Sequence, residues 1–521
     1  MNLAKFRLLF HTLSYLKPIQ FVYRGKLFLR KRISPLKMNW SKYDTELQRV
    51  DIVLLDSIPF PNFYSFHNNN FTFLNLSRAF SKNIDWEYMG YGRLWCYNLN
   101  YFEFLRQEDC SKEIGCELID DYINNLTAIS VGMEPYPLSL RCSNWIYFFV
   151  KHQIKNDKYD LILYKQLQLL SRQLEYHLLG NHLLENGFSL LFGAYYFNNI
   201  EFYKKAKHIL LPELKEQTLS DGANFELSPM YHCIILLRLL DSCNLVQSNA
   251  LFSCELLPFF ESISSKMLSW LKAIIFNNGN IPLFNDAAFG IAPLPVHLFE
   301  YAQRIGLKID EGELTESGYR KYTNDKFELV IDVAQIGPDY QPGHAHADTF
   351  NFELYIEGRS VIVDTGISTY EINSNRLYER STKAHNTVVK NASNSSEVWS
   401  GHRVGKRASV CIEYEDSNKL VASHNGYSDS FTHKRTFSFQ KEAITILDEM
   451  KGTAEAYLHF HPLELIKLST NHVEGKNYTI DFIGANSVEI LDSYYAPEFN
   501  KRISSKCVRI CFNNKLETVF K

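Results

Sequence analysis

The residues best suited to chemistry lie in Gly343-His344-Ala345-His346-Ala347-Asp348, followed by Asp364 in Val-Asp-Thr-Gly and His385 in Ala-His-Asn-Thr. Imidazole nitrogen and carboxylate oxygen together suit zinc, so His346, Asp364 and His385 form a candidate set of two histidines and one carboxylate. Residues i and i+2 of a strand share a face. His344 and His346 could therefore line one cavity, with only His346 on the ion and His344 left to meet a substrate. The competing reading is that these imidazoles satisfy buried backbone groups.

Further polar groups cluster elsewhere. Asn181-His182-Leu-Leu-Glu185-Asn186 places an amide, an imidazole and a carboxylate at i, i+1 and i+4, where they can border one cleft or simply cap and bridge helices. Asp221-Gly-Ala-Asn-Phe-Glu226-Leu-Ser228-Pro229-Met-Tyr231-His232 crowds Glu226 and Tyr231 against a proline at an expected helix start. Tyr231 could donate a proton or be an ordinary half-buried aromatic. The loop from Asn277 to Asp286 could line the same cavity or merely cap its neighbours, and capping is the favoured reading. Between Asp364 and Arg403 come Tyr370, Arg376, Tyr378, Arg380, Trp399 and His402. Arginines there could bind carboxylate or sulfate bidentately, or make surface pairs.

The elements that must position these groups change type along the chain. From about 121 to 307 apolar residues recur at helical spacing, as in the run from Tyr164 to Leu179. After about 321 the pattern turns to short alternating or β-branched runs such as Phe350-Asn-Phe-Glu-Leu-Tyr-Ile and Val508-Arg-Ile-Cys-Phe. Helices followed by strands predict an α+β multidomain chain, with the strands forming an antiparallel β-sandwich and the join near 314–324. The expected division is an N-terminal segment at 1–43, a helical domain at 44–318 and a sandwich at 319–521.

At 521 residues the chain can bury two cores. Its formal charge of −3 argues against a nucleic-acid binder. The charge is uneven: from Met1 to Tyr43 there is no acidic residue, and Lys5, Arg7, Lys17, Arg24, Lys26, Arg30, Lys31, Arg32 and Lys37 alternate with leucines and aromatics. This basic amphipathic pattern could lie on an anionic membrane or pack on the body of the protein. A secretory leader fits it poorly, because polar residues interrupt every apolar run. The ten cysteines form no Cys-x-x-Cys pair, which favours reduced thiols. Together these features predict a cytoplasmic protein, in peripheral contact with the inner membrane if the segment docks there, with a periplasmic location the weaker fit.

In this order, Leu94-Trp95-Cys-Tyr97-Asn98-Leu-Asn100-Tyr101, Pro135-Tyr-Pro-Leu-Ser-Leu-Arg141-Cys-Ser-Asn144-Trp145, Asn181-His182-Leu-Leu-Glu185-Asn186, Ser228-Pro-Met-Tyr231-His232 and Gly343-His-Ala-His-Ala-Asp348 resemble the heparinase II/III-like polysaccharide lyases. The resemblance implies an incomplete (α/α) toroid followed by an antiparallel β-sandwich, and β-eliminative cleavage of an acidic, uronate-containing polysaccharide or oligosaccharide. It also implies a structural zinc on His346, Asp364 and His385. Asn181 and His182 match the pair that neutralises the uronate carboxylate, with His344 beside them, and Tyr231 matches the proton donor. Tyr378, ahead of Tyr370, is the expected partner base. Glu185, Glu226, Arg380, Trp399 and Arg403 are expected to contact substrate. The basic N-terminal segment resembles that of members linked to bacterial surface-polysaccharide synthesis. Two other readings are a non-catalytic glycan-binding protein and a zinc-dependent glycan hydrolase, and oligomeric state is left undetermined.

Overall fold

The computed structural model describes residues 3–33, 47–56, 65–81, 83–253, 255–428 and 431–521. Two helices, Leu3–Ser14 and Pro18–Ile33, open the chain; the end of the expected N-terminal segment, 34–43, lies outside the described residues. A small three-stranded sheet spanning Phe66 to Ala79 precedes the helical body. In that body Pro135–Lys151 packs on Gly180–Tyr196, which packs on Ile200–Gln217, and Pro229–Ser248 packs on Leu256–Ile274. These helices, of 17–20 residues, bury much of their apolar surface against one another, so their stability comes from stacking in pairs rather than from isolated propensity. The nine cysteines among the described residues are all free.

Beyond residue 318 the strands make two large antiparallel sheets and a two-stranded ribbon, Val398–Trp399 with Arg403–Val404. One has four strands in the order Tyr319–Thr323, Phe327–Asp332, Phe352–Ile356, Arg359–Ile362. The other is long, and its centre is the pairing of Ile444–His459 with Lys501–Phe520 and of the latter with Tyr478–Glu498. Ile444, Ile446, Met450, Ala454, Ala456 and Leu458 point inward, and meet Phe327, Leu329, Ile331, Phe352, Leu354 and Ile356 from the smaller sheet in one core. The chain thus has the helical region followed by an antiparallel β-sandwich that the motif order implied.

What fixes one half on the other is the smaller sheet, whose two central strands are buried on both faces. Alternation sends Phe327, Leu329 and Ile331 into the sandwich and Glu328, Val330 and Asp332 towards the helices. Glu328 accepts the amide of Asn277 at 2.8 Å, Glu353 accepts that of Leu283 at 2.6 Å, and Tyr355 stacks on Phe276 with centroids 4.2 Å apart. The loop 275–286 is therefore clamped to the sheet along its length. It delivers Asp286 to the junction.

Candidate active site

Tyr231 enters the junction from the first turn of Pro229–Ser248. Ser228 caps that helix by accepting the Tyr231 amide at 3.2 Å, while its own hydroxyl donates to the Asp286 carbonyl at 2.6 Å. Proline at the first helical position costs no hydrogen bond there. The Tyr231 hydroxyl lies 3.2 Å from that of Tyr370, and its ring stacks on His344 with centroids 3.9 Å apart. Burial, then Tyr370 and the carboxylates of Asp286 and Glu226, push the Tyr231 phenol well above its ordinary range. It holds its proton at neutral pH.

Asp286 organises the sandwich side. Its carboxylate accepts both Arg376 amino groups, at 2.5 and 2.7 Å, His344 Nδ1 at 2.9 Å and His346 Nε2 at 2.8 Å. Burial opposes its charge, but Arg376 and the two imidazoles outweigh that cost and hold the acid well below the usual carboxylate range. Because Asp286 stays ionised, it fixes His344 with the proton on Nδ1. Nε2 of His344 faces a Glu226 oxygen at 3.6 Å.

The toroid side is the start of Gly180–Tyr196. Gly180 has φ +59°, a left-handed conformation that favours glycine, and a Cβ there would meet the end of the Gln341 side chain. Asn181 follows. Its backbone amide donates to Glu226 at 3.3 Å, and its side-chain Oδ1 is buried without a partner. The ring of His182 lies 4.7 Å from that of Tyr136, and Nδ1 faces Glu175 at 3.2 Å. Burial works against the charged ring, yet Glu175, with Glu226 and Glu185, raises its pKa above the ordinary value.

Deeper in the sandwich, His346 Nδ1, Asp348 Oδ2 and His385 Nε2 are buried without hydrogen-bond partners, and the three residues' ligand atoms lie within 4.8 Å of one another. Orphaned buried polar atoms are costly, and two imidazoles with one carboxylate fit zinc. This set differs from the expected one in its acid. Asp364 instead stands behind His385, accepting Nδ1 at 2.8 Å, the Asn351 amide at 2.6 Å and the Gly366 amide at 2.8 Å. That is the position of a group that orients a ligating histidine.

Asn181, His182, Tyr231 and His344 therefore gather around Glu226, which accepts the Asn181 amide and lies 3.6 Å from His344. Five expected residues do not. Tyr378 turns towards Ser493 and Cys507, while Tyr370 takes the place facing Tyr231. Glu185 is locked by Arg238 Nε at 2.9 Å. Arg380 donates to the carbonyls of Ala345, Ser400 and Arg403, bracing the histidine loop from behind. Trp399 donates to Thr12 at 3.1 Å and Arg403 lies over its ring, so both belong to the seat of the first helix. Glu175 carries no signal in the sequence, Arg376 binds the carboxylate of Asp286 bidentately, and Asp286 stands at the end of a polar loop that reads more readily as a cap. His402 also borders the site, with its ring 5.1 Å from Tyr370.

Two family models match this chain: heparinase II/III N-terminus over residues 139–294, and heparinase II/III-like, C-terminal, over residues 310–520. The chain belongs to the heparinase II/III-like family of polysaccharide lyases. It is 23% identical over 316 residues to a heparin-sulfate lyase of Bacteroides stercoris, covering 54% of this chain and 45% of that protein. A heparin-sulfate lyase of Pedobacter heparinus is 27% identical over 285 residues, covering 49% and 41%. The chain thus spans less than half the length of these curated relatives. Among solved structures, heparinase III superposes with a TM-score of 0.70 at 16% identity, over 98% of this chain and 92% of that one. The heparan sulfate lyase HepC of Pedobacter heparinus gives 0.55 at 17% identity, over 87% and 80%. These likenesses establish the shared fold of the family member.

Proposed function

We propose that the protein is a polysaccharide lyase that cleaves an acidic, uronate-containing glycan by β-elimination. The observation that carries this reading is the stacking of Tyr231, a hydroxyl that keeps its proton, on His344, an imidazole whose tautomer Asp286 sets. An acid and a base thus stand side by side at one wall of the junction. His344 Nε2 takes the C5 proton, the electron pair forms the C4–C5 double bond, the bond from C4 to O4 breaks, and Tyr231 gives its proton to O4. Tyr370 holds the Tyr231 hydroxyl in place. Asp286 stabilises the imidazolium, as the carboxylate of a hydrolytic triad does.

The C5 proton leaves only if the adjoining carboxylate is neutralised while negative charge builds on it. Asn181 and His182 stand in the first turn of their helix, where the backbone dipole favours an anion. Asn181 and His182 can each donate to that carboxylate, through the side-chain amide Nδ2–H and an imidazole N–H. His346, Asp348 and His385 would hold zinc, which when bound would tie the histidine loop to the sandwich. Their burial, at 0%, 2% and 0% exposure, supports a closed structural site over the open position that a zinc hydrolase requires.

The test is ultraviolet absorbance during incubation with a panel of uronate polysaccharides. A rise from unsaturated uronate is expected on at least one glycan, with Tyr231→Phe slower by on the order of 10²–10⁴-fold and oligosaccharide binding unchanged. Binding without any rise on any glycan would favour a glycan-binding protein instead.

A further inference from the structure

The two N-terminal helices are seated by their inner faces. Leu3–Ser14 lies on the sandwich: Arg7 pairs with Glu397 at 2.9 Å, His11 meets the same carboxylate at 3.0 Å, and Thr12 donates to the Val404 carbonyl at 3.1 Å. Pro18–Ile33 lies on the helical body, where buried Gln20 donates to the Leu178 carbonyl at 3.2 Å and Tyr23 packs on Tyr176 with centroids 4.8 Å apart. Tyr15, in the turn between them, is covered by Arg407. The pair therefore straddles the join between the two halves, with its outer faces turned away from both.

Those outer faces are not polar. Phe6, Phe10, Phe21, Val22 and Leu29 are each between 49% and 63% exposed. Lys5, Arg24 and Lys26 are exposed among them, a Cβ on Gly25 would meet nothing within 4 Å, and no acidic residue occurs from Met1 to Tyr43. Exposed apolar side chains clustered in one patch mark an interaction site. A patch with cations and no anions selects an anionic partner, and one that is also aromatic along two helices suits the headgroup and acyl boundary of a bilayer. Neither helix, nor any other among the described residues, is long and apolar enough to cross one.

We propose that this helical pair docks the protein on an anionic lipid bilayer, lying in the interface with Phe6, Phe10, Phe21, Val22 and Leu29 inserted and Lys5, Arg24 and Lys26 against lipid phosphates. The reading is independent of the chemistry at the junction. It would hold the cleft close to the membrane, because the same helices bear on the loop 397–405 beside it.

Sedimentation of the full chain with sucrose-loaded vesicles tests this, using equal parts phosphatidylglycerol and phosphatidylcholine against phosphatidylcholine alone. Partitioning to the anionic vesicles should be tighter by at least about tenfold, at ~1 kcal/mol for each basic residue at the surface. Lys5→Ser, Arg24→Ser and Lys26→Ser together should weaken it by on the order of a hundredfold. Phe6→Ser, Phe10→Ser and Phe21→Ser should release the protein, with thermal unfolding unchanged because these side chains are exposed. If the variants misfold, wild-type protein still decides the matter, since its binding must fall steeply between about 0.05 M and about 0.5 M salt. No sedimentation, equal sedimentation with both vesicles, or a dimer in light scattering that Phe10→Ser and Phe21→Ser dissociate would overturn the proposal.

Discussion

Replacing Asp286 by asparagine removes a negative charge from the point where Arg376, His344 and His346 meet, and its consequences can be worked from the geometry. Asp286 and Arg376 are both wholly buried, with paired contacts of 2.5 and 2.7 Å. Asparagine has nearly the same shape, so the loss is one of charge: the Arg376 guanidinium is left buried beside a neutral amide. Breaking a buried pair in this way costs ~3–5 kcal/mol. Chemical denaturation of the Asp286→Asn variant should show that loss. The double variant Asp286→Asn with Arg376→Met should recover part of it, because no unpaired buried charge remains; the coupling expected for contacting residues is about 0.5–3 kcal/mol. Turnover should fall separately from stability. An asparagine can donate to His344 Nδ1 and so favour the wrong tautomer, with the proton on Nε2, and the fall expected is on the order of 10²–10⁴-fold. The two readouts discriminate, since turnover is measured under conditions where both proteins are folded. An Asp286→Asn protein that unfolds at the wild-type denaturant concentration and turns over within about twofold of wild type would refute the assignment of Asp286 as the positioning residue.

Three further outcomes are expected. Tyr370→Phe should slow turnover by roughly tenfold or more, because the Tyr231 hydroxyl loses its partner at 3.2 Å, whereas Tyr378→Phe should leave it unchanged; equal loss in both would return Tyr378 to the site. Elemental analysis of the purified protein should find about one zinc per chain, absent in Asp348→Asn and bound about 10–100-fold more weakly in Asp364→Asn, and the reverse ranking would make Asp364 the ligand. Glu175→Gln should lower the raised pKa of His182 and move the alkaline limb of the kcat/KM profile to lower pH. The same pair should stabilise the fold fully below the ordinary histidine pKa of about 6.5 and progressively less as pH rises through the raised one, so the variant should converge on wild type at alkaline pH.

How far the sequence reaches can be judged from particular residues. Periodicity alone separates the helical run 121–307 from the strand-rich remainder, because burial on one face imposes a repeat near 3.6 in one and 2 in the other. The helix start at Pro229 was legible for the same local reason, since serine before proline caps a helix whatever surrounds it. Short-range chemistry also survives folding: Gly180 with Asn181 and His182, and His344 with His346, reach the site together because each pair is carried by a few rigid residues.

What sequence could not reveal is where long-range contacts aim a side chain. Glu185 sits one helical turn from Asn181 yet faces Arg238, because the interior of the helical body holds a buried cation that needs it. Tyr370 and Tyr378 are both plausible in a string of letters; the short helix Ser374–Glu379 carries Tyr378 towards the long sheet, while Tyr370 before it faces Tyr231. Asp286 looks like a cap until the smaller sheet clamps its loop and carries its carboxylate to Arg376, His344 and His346, ninety, fifty-eight and sixty positions away. The sequence by itself determined the elements, the family and the residue types able to do chemistry, since these depend on local pattern. Only the tertiary structure decided which acid fixes the imidazole, which tyrosine meets Tyr231 and which carboxylate is left open beside His346 and His385, because each of those depends on distances between segments that the chain order does not encode.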